Sequence, residues 1–95
     1  MSAQKNAYPM VISKSMSFPF SKGILSQALI AVGMKPNEAY QVAEKIEERL
    51  LKRRLPRIEK SQLKRMVYNE LRRDHGKELA EKYLEWKKVS SPIVV

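Results

Sequence analysis

Lys52, Arg53, Arg54, Arg57, Lys60, Lys64 and Arg65 crowd one short stretch, and Arg72 and Arg73 carry the charge further along. Side chains of these types hold phosphate oxygens by charge-assisted hydrogen bonds, arginine through a planar fork and lysine as a point charge. The formal net charge of +9 on 95 residues is consistent with that chemistry. It predicts attraction to polyanions: nucleic acid, nucleotides or phosphorylated metabolites. The same charge also suits a solvated face that keeps a small domain soluble.

Residues suited to bond-making chemistry are scarce. His75 is the only histidine and sits beside Gly76, a setting that reads as a helix end rather than a general base. There is no cysteine, so neither a thiolate nucleophile, a disulfide nor a cysteine-ligated metal is available. No serine lies in a Gly-x-Ser-x-Gly setting, and neither a Walker loop nor a Gly-x-Gly-x-x-Gly run is present. Glu44, Glu47 and Glu48 read as solvated charges on one helix face. This stretch of chain carries no catalytic site of its own.

The elements that must position the basic residues follow from periodicity. Residues 1–7 read as a disordered leader. Tyr8 to Phe20 is strand-like, with Val11, Ile12, Phe18 and Phe20 as strand formers and Lys14-Ser15 as a hairpin turn. Helix one is expected from Ser21, its N-cap, to Val32, with Ile24, Leu25, Ala28, Leu29 and Val32 as the apolar stripe and Gly33 as the stop. Such an N-terminus, with Lys22 in its first turn, also suits a phosphate. Helix two starts at Pro36 and buries Ala39, Tyr40, Val42, Ala43, Ile46 and Leu50, until Leu55-Pro56 breaks it.

Arg57 to Ser61 reads as a connector with Ile58 turned inward, and Ser61 as the N-cap of helix three. That helix carries Leu63, Met66, Val67 and Leu71 and ends at His75-Gly76. Helix four, about Lys77 to Val89, carries Leu79, Ala80, Tyr83, Leu84 and Trp86. Ser90-Ser91-Pro92 then interrupts it before the apolar run Ile93-Val94-Val95. Tyr83 and Trp86 suit a core, though aromatics so spaced can also stack on a base. The expectation is a mainly α fold: a small N-terminal hairpin followed by a four-helix bundle around one core. The longest apolar runs fall far short of the roughly 20 residues a membrane helix needs, and Met1 to Ala7 is too polar for a secretory signal. The expected address is the cytoplasm.

Pro19-Phe20 with Leu25 and Leu29, Ile58 with Ser61 and Leu63, and the run Ala80-Glu81-Lys82-Tyr83-Leu84-Glu85-Trp86-Lys87 together resemble the ATP-cone, a regulatory adenine-nucleotide-binding module. The resemblance covers residues 10–88. Within it, Pro19 to Leu25, Ala31-Val32-Gly33-Met34, Glu38-Ala39-Tyr40 and Ile46-Glu47-Glu48 are similar to the N-terminal region of the archaeal 2-phosphoglycerate kinase family, in which a cone-like module precedes a P-loop kinase domain. The resemblance implies a cone-like domain over residues 8–89, and a tail over 90–95 that looks like the start of a following strand. It implies nucleotide contacts at Ser21, Lys60, Ser61 and Lys64. Lys14 lies in the stretch equivalent to the family's turn, and Lys22 and Lys87 join the set on charge and placement. The usual turn sequence Lys-Arg-Asp-Gly is replaced here by Ile12-Ser13-Lys14-Ser15, and a lysine frequent in the first helix is replaced by Ile24.

The function implied is a regulatory module that binds ATP or another adenine nucleotide, with magnesium arriving on the nucleotide. It would be the N-terminal domain of such a kinase or a free-standing relative, with the catalytic domain or a larger enzyme as partner. Two other readings stand beside it. One is a small basic protein binding DNA or RNA through Lys52, Arg53, Arg54, Arg57, Arg65, Arg72 and Arg73. The other is a non-catalytic interaction subunit of a larger enzyme.

Overall fold

The computed structural model describes residues 10–14, 16–54 and 57–90. The expected leader, Ser15, the Leu55-Pro56 break and the tail from residue 91 lie outside them. Strand β1 (Met10–Ser13) and strand β2 (Met16–Pro19) form the expected hairpin, with Val11 opposite Phe18 and Ser13 opposite Met16. Lys14 occupies the turn with φ 55°, the left-handed conformation that a two-residue hairpin loop demands. For a residue with a Cβ this costs on the order of 1 kcal/mol, which the strand pairing must offset.

Helix α1 (Lys22–Ala31) starts as expected at Ser21, whose Oγ accepts a hydrogen bond from the Ile24 amide at 3.2 Å. It ends in a Schellman closure. The Met34 amide donates to the Leu29 carbonyl at 3.1 Å and the Gly33 amide to that of Ile30 at 2.9 Å. Gly33 has φ 113°, so the reversal into the next helix rests on its missing side chain. Helix α2 (Pro36–Arg53) begins on Pro36 with Glu38 in the first turn and Lys52 and Arg53 in the last, charges that complement the helix dipole.

The stretch read as a connector is a third strand. Strand β3 (Arg57–Glu59) pairs in parallel with β1, Val11 facing Ile58, and gives a sheet of order β2-β1-β3. A parallel partner needs a long crossover, and α1 with α2 supplies it. Three residues are too few to show a strand period, and only the exposed-buried-exposed alternation of Arg57, Ile58 and Glu59 betrays it.

Helix α3 (Lys60–His75) therefore starts directly off the sheet. Its N-cap is Glu59, not Ser61, which already lies inside the helix. Glu59 and Gln62 form a reciprocal capping box, the Glu59 amide donating to Gln62 Oε1 at 3.1 Å. Ser61 has no such partner three residues on, because that position is Lys64. Helix α4 (Lys77–Ser90) follows Gly76, whose φ of 99° makes the turn.

The helices pair as α1 on α2 and α3 on α4, and α2 meets α3 between the pairs. The core holds Val11 and Ile58 of the sheet, Leu25 and Leu29 of α1, Val42, Ile46 and Leu50 of α2, Leu63, Val67 and Leu71 of α3, and Ala80 and Tyr83 of α4. Two residues assigned to buried stripes are exposed, Ile24 at 39% and Tyr40 at 46%, and Val32 is only partly buried. Ile24 and Tyr40 sit at the margin of their helix faces, where burial depends on what the neighbouring helix covers.

Leu29 is fully buried, so Leu29→Ala should lower stability by about 2–5 kcal/mol in urea unfolding. Tyr83 is equally buried, but its hydroxyl has no hydrogen-bond partner among the described residues. Tyr83→Phe should therefore leave the melting temperature unchanged or raise it, since it deletes an unsatisfied polar atom without opening a cavity.

Candidate functional site

Lys60 and Lys64 lie one turn apart on α3, on the side that meets α4. There they act electrostatically on Lys87, near the end of α4. Lys87 is only 7% exposed. Its pKa falls to about 8 from 10.5, first through burial and then through the positive charges of Lys60 and Lys64. Three of the residues singled out from sequence thus converge, although Lys87 is far from the other two along the chain. A buried ammonium held beside two like charges costs stability at neutral pH, and sites arranged this way are frequently ligand sites.

The other expected contacts lie apart from this cluster or are engaged elsewhere. Ser21 caps α1, and Lys14 is exposed on the hairpin turn. Lys22 belongs to the α1–α2 joint. Its Nζ donates to the Tyr40 hydroxyl at 3.2 Å, lies 5.1 Å from the Tyr40 ring centroid and approaches Glu47 at 3.5 Å and Glu44 at 3.9 Å. The Tyr40 hydroxyl, followed by Glu47, holds its pKa above the usual lysine range. Tyr40, expected in the core, instead sits outside as a partner for this cation.

Arg73, placed in the polyanion patch from sequence, is drawn into a second cluster that the sequence did not announce. Glu70 of α3 is fully buried, and its Oε1 accepts from Arg73 at 2.6 Å and meets Arg49 of α2 at 3.0 Å. Its Oε2 faces Lys45 at 3.6 Å, and Lys45 also donates to Asp74 at 3.0 Å. The Lys45 hydrogen bond, foremost among several contacts, lowers the Asp74 pKa to about 2. The signal that could have found Glu70 is its position between Val67 and Leu71, an acid within the apolar spacing of α3.

With Arg73 diverted, most of the patch remains at the end of α2, on β3 and in the first half of α3, while Arg72 lies in the last turn of α3. Lys52, Arg53 and Arg54 are exposed where α2 stops, and Arg57, Arg65 and Arg72 are exposed on β3 and α3. Ser61, having no capping role, lines an open groove beside Arg53, Arg57 and Arg65. No group of three or more His, Asp or Glu side chains that could hold a metal ion occurs among the described residues. Nor is any of their helices long and apolar enough to cross a membrane.

The fold and its cationic sites define a small helical module with a three-stranded sheet at one end. The ATP cone domain family matches residues 10–91, and the chain belongs to that family. The 2-phosphoglycerate kinase of Methanococcus vannielii is 44% identical over 80 residues, 84% of this chain and 26% of the relative. That of Methanocaldococcus jannaschii is 44% identical over 88 residues, 90% of this chain and 28% of the relative. That of Methanothermobacter thermautotrophicus is 36% identical over 88 residues, with the same coverage of 90% and 28%. The chain spans about a quarter of the length of these curated relatives, matching their N-terminal part. No solved structure matches it.

Glu70→Ala should destabilise the domain by about 2 kcal/mol in urea unfolding, because it removes the hydrogen bond from Arg73 and the ion pairs with Arg49 and Lys45 that join α2 to α3. The acid limb checks the same cluster. A carboxylate whose pKa is depressed contributes stability above its unfolded pKa and loses that contribution as pH falls through the folded value. For Asp74 the loss runs from its ordinary value of 3.8 down to about 2. Thermal melts over that window should show a steeper decline in the wild type than in Asp74→Asn.

Proposed function

We propose that the chain is a regulatory module binding ATP or a related adenine nucleotide, with the phosphates against Lys60, Lys64 and Lys87. The single observation that carries this reading is the buried Lys87 ammonium crowded by two further lysines. An anionic ligand relieves both the desolvation and the mutual repulsion of that cluster. Membership of the ATP-cone family supports the choice of an adenine nucleotide, and the net charge of +9 favours its capture. Magnesium would arrive on the phosphates. Relatives named 2-phosphoglycerate kinase support a role beside a kinase catalytic domain, which this module would regulate by nucleotide occupancy.

Lys14 and Ser21 fall to a secondary place in this proposal. Lys14 reaches the ligand only from the hairpin turn, and the Ser21 hydroxyl is committed to its own helix. A cytoplasmic address fits the proposal, since that is where ATP and a kinase partner meet.

Calorimetric titration with ATP, with and without magnesium, tests the reading directly. Heat of binding and a raised melting temperature are expected at millimolar nucleotide; their absence would overturn it. Lys60→Glu combined with Lys64→Glu should abolish the heat without unfolding the chain. The pH dependence has a defined sign. Phosphate favours charged Lys87, so affinity should hold below pH about 8 and weaken as the ammonium deprotonates above it. Lys87→Arg, which stays charged, should flatten that decline.

A further inference from the structure

The groove beside β3 is a separate site, built from three elements. Arg53 comes from the last turn of α2, Arg57 from β3, and Ser61, Gln62, Arg65 and Asn69 from one side of α3. It encloses about 540 Å³, with Ile58 and Met66 as its apolar floor. No carboxylate lines it. Among the described residues, none of its three guanidinium groups has an ion pair or hydrogen bond, whereas Arg49, Arg73, Lys45 and Lys22 are all held by acidic side chains. Glu44, Glu47, Glu70 and Asp74 are thus spent on joining helices, and no acidic side chain among the described residues compensates the groove.

We infer that this groove binds a single-stranded oligonucleotide along its phosphodiester backbone. Unpaired guanidinium forks match phosphate oxygens in bidentate geometry. Ser61, Arg65 and Asn69 follow at intervals of four residues, so they form a row advancing about 6 Å per step, close to the phosphate step of an extended strand. Asn69 carries an amide donor and acceptor suited to base edges, and Gln62, whose Oε1 accepts from the Glu59 amide, offers its amide donors. The concave shape admits a strand but not a duplex, whose grooves are entered by a protruding helix or ribbon. Lys64 and Arg65 also line a smaller adjoining hollow with the ring of Tyr68, a surface on which a base can stack.

The groove itself is distinct from the lysine cluster proposed for nucleotide, and Lys64 borders only the adjoining hollow. Lys60 and Lys64 act on α4, while the groove lies toward α2 and β3. Fluorescence anisotropy with labelled 12-nucleotide oligo(U) and oligo(dT), on the full chain at rising KCl, tests the inference. Binding should weaken with salt on a logarithmic slope of about −2, as expected for three single-strand phosphate contacts. Arg53→Gln, Arg57→Gln and Arg65→Gln together should cost about tenfold or more in affinity. Lys35→Gln, Lys77→Gln and Lys82→Gln, an equal loss of charge away from the groove, should cost less than about threefold.

Equal weakening by both triple variants would mean diffuse attraction and overturn the site. So would absence of binding at low salt, displacement by ATP, or stronger competition from duplex DNA or inorganic tripolyphosphate. Preference between the two oligonucleotides separates RNA from DNA as its source. Calorimetry with ATP on the groove variant keeps the two proposals apart. Retained heat with lost oligonucleotide binding supports both. Lost heat would place the nucleotide in the groove.

Discussion

A single buried carboxylate holds the two helix pairs together. Glu70 is fully excluded from solvent, and a charge in that position is tolerable only because Arg49, Arg73 and Lys45 surround it. Two of those cations come from α2, so the carboxylate ties α2 to α3 where the apolar contact between the helices is limited. The orientation of α3 then determines where its N-terminal lysines and arginines point. The groove shared by α2, β3 and α3 depends on that joint.

Charge in this domain is sorted rather than spread. Lys22 lies against Tyr40 and Glu47 at the α1–α2 contact, and Lys45, Arg49 and Arg73 converge on Glu70 and Asp74 at the α2–α3 contact. These pairs consume acidic side chains that could otherwise neutralise the remaining bases. Partial exposure of the cations limits what each pair contributes to stability. Their combined effect on the distribution of charge is larger: the start of α3 and the end of α2 are left strongly positive. That asymmetry favours anionic ligands at two neighbouring places, one facing α4 and the other facing β3.

Lys87 illustrates the cost of such an arrangement. Folding depresses its pKa, so at neutral pH the folded state carries an ammonium that would be better solvated in the unfolded chain. The domain tolerates this because Tyr83 and Ala80 on the same helix bury apolar surface against α3. A ligand phosphate would turn that penalty into binding energy. The short sheet contributes by anchoring the start of α3, since β3 runs straight into it.

Much of the architecture was legible from local chemistry. Ser21, Gly33, Pro36 and Gly76 punctuate the helices where their backbone preferences dictate, and the spacing of Leu25, Leu29, Ile46, Leu63 and Leu71 marks the buried faces. Lys60 with Lys64 was also visible, as a pair one turn apart. Local signals failed where a residue's role depends on a distant partner. β3 is too short to read without β1 beside it, and Ser61 loses its capping role because that strand delivers the chain at Glu59. Tyr40 and Ile24 fall at the edge of a stripe whose width is set by the neighbouring helix. The burial of Glu70, the diversion of Arg73 and the approach of Lys87 to Lys60 and Lys64 were decided only by helix packing. Sequence alone determined which residues are helical, apolar and basic; tertiary structure decided which bases acids neutralise and which stay available, because electrostatic pairing acts through space over a few ångströms.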